Sequence, residues 1–482
     1  MNICIISSIG VQTYQGKYME MKSEWAPFWD LAILEKGVPI DVVDYYLSKK
    51  GRLYNFNPDR HIYTNGIVLA NRLYNPLNKI KIVNSIKPNF SFDNIDVAII
   101  STNYVTANWI EHLFDILNEL RKKRIKCIIG GIGIKKIYQN DKVKFSKIVN
   151  LIDGYIIISD SGLNKLKELF DNIFLPIQNK VIICDDEYDF NHKDYSLEHI
   201  DKSLHSKHTV LITQTGCIYD CAFCSYKDKN HTHSFFNMEE IKKALIELNR
   251  TNSNILRHVR FADETFNVDN LRVIELCNFI KSQDFKFRWS CFLRANNITN
   301  ELIKALSMSG CDFVSIGVET GSPSLQKIMN KNIDLSDLKV SIAKLKNAGI
   351  VVNISLLVGF FGENETSIRE TMKFISDSKP DLARINLWHP TRSEKNNYLF
   401  DHYQFRAMGN TWCHATLSEQ DAVSFAKKLY LMDSDKVFFP PFSSVFDQWP
   451  VLASYDLSKR EILNVFREYY LTTKNMCLNL VK

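Results

Sequence analysis

The chain has 482 residues, 45% of them hydrophobic and 24% charged, with a formal net charge of +6. That composition belongs to a globular protein of several domains and excludes a disordered chain, a fibrous repeat and a strongly basic nucleic-acid module. Apolar runs are strand-length and interrupted, so no segment reads as a membrane span.

Apolar runs at 2–7, 79–83, 96–101, 125–129 and 155–159 read as strands, and the patterns near 65–75, 107–124 and 161–171 as helices. Strands apolar throughout, alternating with amphipathic helices, predict a parallel sheet covered on both faces. Residues 1–171 are therefore expected to form an α/β, doubly wound, Rossmann-like domain. Ligands of such sheets sit beyond the C-terminal strand ends. Here those ends carry Ser101, Thr102, Gly130, Gly131 and Ser161, small residues that admit a ligand to backbone amides. Residues 10–64 are a long aromatic-rich insertion, of a length that caps a site or folds as a small subdomain. The basic cluster from Arg121 to Lys126 closes a helical pattern, where cations offset the helix C-terminus.

A polar, charged stretch at 172–206 reads as a linker, and a second strand and helix series fills 207–390. Its strands are expected at 209–213, up to 261, 287–292, 313–319, 351–359 and 382–388, with a helix at 237–249. Six such units predict a partial (β/α)6 barrel with functional residues at the C-terminal strand ends. Asp263, Glu264, Arg294, Glu319, Ser322, Gly359, Glu363 and His389 all fall at such ends. Residues 391–482 read as a mostly helical, substrate-capping region.

The sharpest local signal follows the first barrel strand: Cys217, Cys221 and Cys224 in the spacing CxxxCxxC. With 11 cysteines in the chain, this triplet has a chance expectation of about 0.006, so the spacing calls for a chemical reason. Three thiolates on one short loop hold three irons of a cubane cluster and leave the fourth open. A closed zinc site wants four ligands, and no second CxxC pair follows. The remaining cysteines lie mostly in apolar runs and read as small buried hydrophobes. With no signal-peptide pattern at the start, a reducing cytoplasm is the expected compartment.

In order along the chain, CxxxCxxC with Phe223 before its last cysteine, Phe261-Ala-Asp-Glu-Thr-Phe266, Trp289-Ser-Cys-Phe-Leu-Arg-Ala-Asn, Gly317-Val-Glu-Thr-Gly-Ser322 and Gly359-Phe-Phe-Gly-Glu363 resemble the radical S-adenosylmethionine (radical SAM) enzymes. The N-terminal half resembles the cobalamin-binding domain of one branch of that family, with Gly130-Gly131 and Asp153-Gly-Tyr-Ile at the family's places. The resemblance implies that Cys217, Cys221 and Cys224 ligate a 4Fe-4S cluster whose open iron binds SAM. One electron then cleaves SAM to methionine and a 5′-deoxyadenosyl radical. It further implies that Asp263 or Glu264 lies near the methionyl amino group, Glu319 and Ser322 near the ribose or methionyl end, and Gly359 beside the adenine, with Phe223 and Arg294 in the same cofactor site. An ion pair of Glu319 with Arg294 at the barrel rim is the structural alternative for that glutamate.

For the N-terminal domain the resemblance implies cobalamin and hence methyl transfer to an unactivated centre. The pattern DxHxxG, whose histidine ligates cobalt, is absent; the nearest string, from Asp59 to Thr64, contains His61. Radical chemistry without methyl transfer (cyclisation, rearrangement or dehydrogenation) and a non-catalytic iron-sulfur protein are the other readings. In the C-terminal region, 409–416 and 438–449 are aromatic-rich, and His389, Tyr403 and His414 are candidates for substrate contact or proton transfer. Expected partners are a small-molecule or peptide substrate and an electron donor such as flavodoxin or ferredoxin, with neither membrane nor nucleic acid expected.

Overall fold

The computed structural model describes residues 1–6, 45–46, 49, 64–83, 90–102, 109–159, 163–184, 189–198, 207–224, 233–252, 255–388, 390, 396–408, 411–432, 434, 436–439 and 445–480. Two compact units interleave along the chain: Met1–Lys17, Phe56–Val210 and Phe236–Leu256 form the first, and Tyr18–Asn55, Leu211–Phe235 and Arg257–Lys482 the second.

The first unit is built on six parallel strands, β1 (Asn2–Ile6), β2 (Lys79–Val83), β3 (Val97–Ser101), β4 (Lys126–Gly130), β5 (Gly154–Ile158) and β6 (Val181–Ile183), in the order β2-β1-β3-β4-β5-β6. β5 is buried along its whole length, as a strand covered on both faces must be. Helix Trp109–Lys122 presents Ile110, Leu113, Phe114, Leu117 and Leu120 to the same core as β3 and β4, a stripe at helical spacing. The order places the topological switch between β1 and β3, as expected for a doubly wound sheet. Strand β6 and the helices Ile132–Asn140 and Lys142–Leu151 have no counterpart in the sequence expectations.

Two boundaries differ from the sequence divisions because contacts do not follow chain order. The stretch read as a linker packs in the first unit: Arg72 Nη2 meets Asp194 Oδ2 at 2.6 Å, and Asn71 Nδ2 donates to the carbonyls of Asp194 and Ser196 at 2.9 and 2.7 Å. Helix Met238–Asn252 joins it through His192 and Ser196, whose side chains reach Glu240 and Glu247 at 2.6 and 2.9 Å. Tyr45, Tyr46 and Lys49, described residues of the 10–64 insertion, go with the second unit: Tyr45 packs on Tyr469 with ring centroids 5.4 Å apart, and Lys49 pairs with Glu468 at 2.6 Å.

The second unit carries the barrel-type sheet: β7 (His208–Leu211), β10 (His258–Phe261), β11 (Arg288–Arg294), β12 (Cys311–Glu319), β13 (Val351–Val358) and β14 (Leu382–Leu387), in unbroken sequential order. The boundary between the units falls inside β7, and Leu211 O accepts from Ala262 N at 2.9 Å. A short hairpin, β8 (Gln214–Thr215) with β9 (Ser234–Phe235), follows the first strand. The C-terminal region is mostly helical, with helices Asn397–His402, Glu419–Leu431, Val445–Ala453 and Lys459–Leu480. It also holds an antiparallel sheet of β15 (Arg406–Met408), β16 (Thr411–His414) and β17 (Leu417–Ser418). Within 438–449, expected as substrate cover, Phe446 stacks on Phe292 at 3.7 Å and Trp449 on Phe313 at 4.8 Å, so both rings serve the core. No helix among the described residues is long and apolar enough to cross a membrane.

Strand β5 depends on a bare Cα at its first residue: a Cβ on Gly154 would sit 1.8 Å from Cys127 O. Gly154→Ala is expected to cost at least about 2 kcal/mol in urea unfolding, as a core-strand clash does.

Candidate functional site

The three cysteines lie in the loop that the β8–β9 hairpin closes, entered through Gly216 at φ +73°. Struts from neighbouring elements fix the backbone of this loop. Ala222 N donates to Met329 O at 2.9 Å, Asn330 Nδ2 to Asp220 O at 2.8 Å, and Asn396 Nδ2 to Ala222 O at 3.0 Å. All three thiols are half-buried, whereas Cys4, Cys127, Cys277, Cys291 and Cys311 are buried. Burial pushes the Cys4 and Cys277 thiols up to about 12, which keeps them protonated and unreactive.

Among the described residues, no group of three or more His, Cys, Asp or Glu is gathered as a preformed metal cage. Cys217 Sγ lies 3.5 Å from Thr265 Oγ1, Cys221 Sγ accepts from Arg294 Nη1 at 3.4 Å, and Cys224 N donates to Cys221 O at 3.1 Å. Three soft donors on one anchored, half-buried loop fit an iron-sulfur cluster in their chemistry.

Asp263 is fully buried and anchors the start of the loop. It accepts from Thr213 N and Thr213 Oγ1, each at 2.6 Å, and from Gln214 N at 3.3 Å. Burial raises its carboxyl to about 6 against the pull of those donors. Asp263 thus spends its carboxyl on the start of the cysteine loop, through two backbone amides and one hydroxyl. Its neighbour Glu264 has an exposed surface, yet the protein mass around its carboxyl pushes it up to about 7, the signature of a recess. Of the two, Glu264 is the carboxylate free to meet a ligand.

Glu319 ends β12 at φ +67° and pairs with Lys331 Nζ at 2.5 Å; both side chains are about nine-tenths buried. The alternative partner, Arg294, lies elsewhere: its Nη2 donates to Lys331 O at 2.5 Å, its Nε to Asn296 Oδ1 at 3.1 Å, and its guanidinium stacks 3.7 Å from the Tyr219 ring. Gly317 makes room for the pair, since a Cβ there would lie 2.8 Å from both Glu319 Oε1 and Lys331 Nζ. Lys331 Nζ also sits 5.3 Å from the centroid of Phe223 in the cysteine loop. Ser322 is buried at the head of helix Pro323–Ile328, its hydroxyl 3.0 Å from Ser324 Oγ. Lys331 is absent from the sequence candidates because it belongs to no recognisable spacing, whereas Thr265 lies inside the Phe261–Phe266 motif, whose spacing does not single it out.

Gly359, at φ +101°, follows β13; a Cβ there would meet Trp412 and Ala422 at 3.0 Å. Its amide donates to the Glu363 carboxylate, which is 1% exposed and pushed up to about 8 by burial. The Gly359 carbonyl lies 3.1 Å from His414 Nε2, while His414 Nδ1 lies 3.1 Å from Thr416 Oγ1. Burial lowers the His414 pKa, which favours a neutral ring, and both ring nitrogens lie within hydrogen-bond distance of a partner. Tyr403 is half-buried and stacks on Phe361 at 5.4 Å. It is the candidate with a hydroxyl still to commit. His389 lies outside the described residues.

In the first unit, Thr102 is fully buried: its N and Oγ1 both donate to Gly130 O at 2.8 Å, and its Oγ1 accepts from Ile134 N at 2.9 Å. Gly131, at φ +101°, presses against it; a Cβ would lie 2.7 Å from Thr102 O. These residues, expected to face a ligand, chiefly weld β3 to the turn after β4. Ser101 and Gly130 remain half-exposed at the strand ends. Ser161 and His61 lie outside the described residues.

With this geometry in hand, comparison with known proteins is direct. Residues 211–375 match the Radical SAM superfamily model. Over that segment the chain is similar to the radical SAM enzymes. An uncharacterized methyltransferase of Pyrococcus horikoshii, PH0819, is 25% identical over 186 residues, 38% of this chain and 39% of that one. The anaerobic magnesium-protoporphyrin IX monomethyl ester cyclase of Cereibacter sphaeroides is 24% identical over 184 residues, 36% of this chain and 29% of that one. The match thus spans well under half the length of these curated relatives. In fold, the radical S-adenosylmethionine methyltransferase TsrM from Kitasatospora setae, with tryptophan substrate and a SAM analogue bound, superposes with TM-score 0.60 at 12% identity, covering 98% of this chain and 99% of that one.

Two pH effects follow. Because folding raises the Glu363 pKa from 4.5 to about 8, the native state holds a proton the unfolded chain has lost, and stability falls as pH rises through that window. Glu363→Gln is expected to remove this fall, so that its melting temperature loses less than wild type between pH 6 and pH 8. Burial pushes the Glu264 carboxyl up to about 7, so where it meets the ammonium of SAM, as the resemblance implies, SAM affinity is expected to rise between pH 6 and pH 8, and calorimetric titration of Glu264→Gln is expected to show a flattened profile.

Proposed function

We propose that the protein is a cobalamin-dependent radical SAM methyltransferase that methylates an unactivated centre of a small-molecule or peptide substrate. The observation that carries the reading is the anchored loop of Cys217, Cys221 and Cys224 at the C-terminal end of the barrel-type sheet, inside the segment that matches the radical SAM model. A 4Fe-4S cluster bound there supplies one electron to SAM.

The protein's part is to hold and orient. Cys217, Cys221 and Cys224 would ligate the cluster, leaving one iron for the amino and carboxylate groups of SAM. Beside the loop, the Glu319–Lys331 pair and Glu264 offer carboxylates to an ammonium or ribose hydroxyls and one ammonium to a carboxylate, the charges that SAM's ends require. The Gly359 turn, kept open by the absence of a Cβ, suits close approach of the adenine. The rings of Phe360, Phe361, Trp388, Phe400 and Trp412, packed at 4.7 to 6.0 Å, keep water from that side.

Cobalamin would bind at the C-terminal edge of the doubly wound sheet, where Ser101, Gly130 and Gly131 are small and uncharged. This part of the reading is supported by the likeness in fold to TsrM with cobalamin and a 4Fe-4S cluster bound, at TM-score 0.57 and 12% identity. The likeness to a magnesium-protoporphyrin monomethyl ester cyclase favours a second reading, radical cyclisation without methyl transfer.

Absorbance separates the two: the first predicts stoichiometric corrinoid after reconstitution, and failure to retain any would sink it. In an anaerobic assay with substrate and reductant, methyl transfer predicts that 5′-deoxyadenosine and S-adenosylhomocysteine appear together by mass spectrometry, and cyclisation predicts the first alone. Replacing Cys217, Cys221 or Cys224 with Ala is expected to abolish SAM cleavage and lower bound iron; retained cleavage overturns both readings.

A further inference from the structure

Arg294 stands out among the charged groups around the cysteine loop. Lys331 is neutralised by Glu319, whereas Arg294 has no carboxylate partner among the described residues: its guanidinium lies between the Tyr219 ring, the Asn296 amide oxygen, the Lys331 carbonyl and Cys221 Sγ. The first three partners hold it without help from the thiol. Its backbone is fixed as well, because Arg294 N donates to Asn267 Oδ1 at 2.7 Å. A half-buried cation is thus aimed, by struts independent of the cysteine, at one sulfur of the three.

We propose that Arg294 is a positioning residue that sets the reduction potential of the cluster by donating a charge-assisted hydrogen bond to Cys221 Sγ. This rests on the cluster reading above. Reduction adds one electron to the cluster, supplied by an external one-electron donor, and raises the negative charge on its sulfurs. A fixed cation 3.4 Å from one of them favours the reduced state, as hydrogen bonds to cluster sulfurs do. Substitution by lysine is not conservative here, since a single ammonium does not reproduce the planar fork between sulfur and carbonyl.

The test is a redox titration of the anaerobically reconstituted protein without SAM or substrate, followed by electron paramagnetic resonance, with iron and sulfide counted in each sample. Arg294→Gln is expected to lower the reduced-to-oxidised ratio at fixed potential about tenfold, equivalent to a shift of about 59 mV to more negative values for a one-electron couple. Arg294→Lys is expected to shift in the same direction by less. A full cluster in Arg294→Gln that titrates at the wild-type potential overturns the proposal. Should Arg294→Gln take up less than four irons per chain, Arg294→Lys decides by the same criterion. Wild type without a cluster would instead refute the proposed function, so the two failures are distinguishable.

Discussion

Much of the second unit depends on how a loop of three half-buried thiols is held against the strand ends. A loop between two-residue strands has little structure of its own, and bringing three cysteines to one cluster is entropically costly unless the backbone is already fixed. The chain meets that cost with hydrogen bonds from elsewhere: Met329 O and Asn330 under the loop, Asn396 beside it, and Asp263 clamping its entry. The segment after helix Pro323–Ile328 takes left-handed conformations at Asn330 and Asn332, which turns it toward the loop.

The same constraint explains the buried charges. Asp263 is removed from water because its lone pairs are filled by backbone and hydroxyl donors; without them its burial would go uncompensated. Glu319 and Lys331 pair at 2.5 Å beside the bare Cα of Gly317, where a Cβ would crowd both side-chain ends. Glu363 stays protonated inside the Gly359 turn at neutral pH. Three carboxyl groups at strand ends thus have three different environments, while Glu264, next to Asp263 in the chain, is exposed.

The long apolar strands were legible in the sequence, because runs such as those of β1, β3 and β5 have the length and burial that only a covered parallel sheet accommodates. The three-cysteine loop was legible through spacing alone. What escaped notice were elements too short to show a period, such as β8, β9 and β15 to β17, and the helix Ile132–Asn140, which starts directly after Gly130-Gly131 and reads as loop. Partnerships were also invisible. Glu319 finds Lys331 twelve positions later through a turn, Thr102 bonds the Gly130 carbonyl, and His414 Nε2 meets the Gly359 carbonyl. Spacing reports which residue types are near in sequence; it does not report which hydrogen bonds a side chain has already spent.

The central claim is that the three-cysteine loop holds a cluster with one iron open to SAM. Electron paramagnetic resonance of the reduced, reconstituted protein, recorded with and without SAM, tests it most directly. The account predicts four irons per chain and a cluster signal whose g values change when SAM is added. A cluster signal indifferent to SAM, or iron that stays bound after Cys217, Cys221 and Cys224 are all replaced, would contradict it.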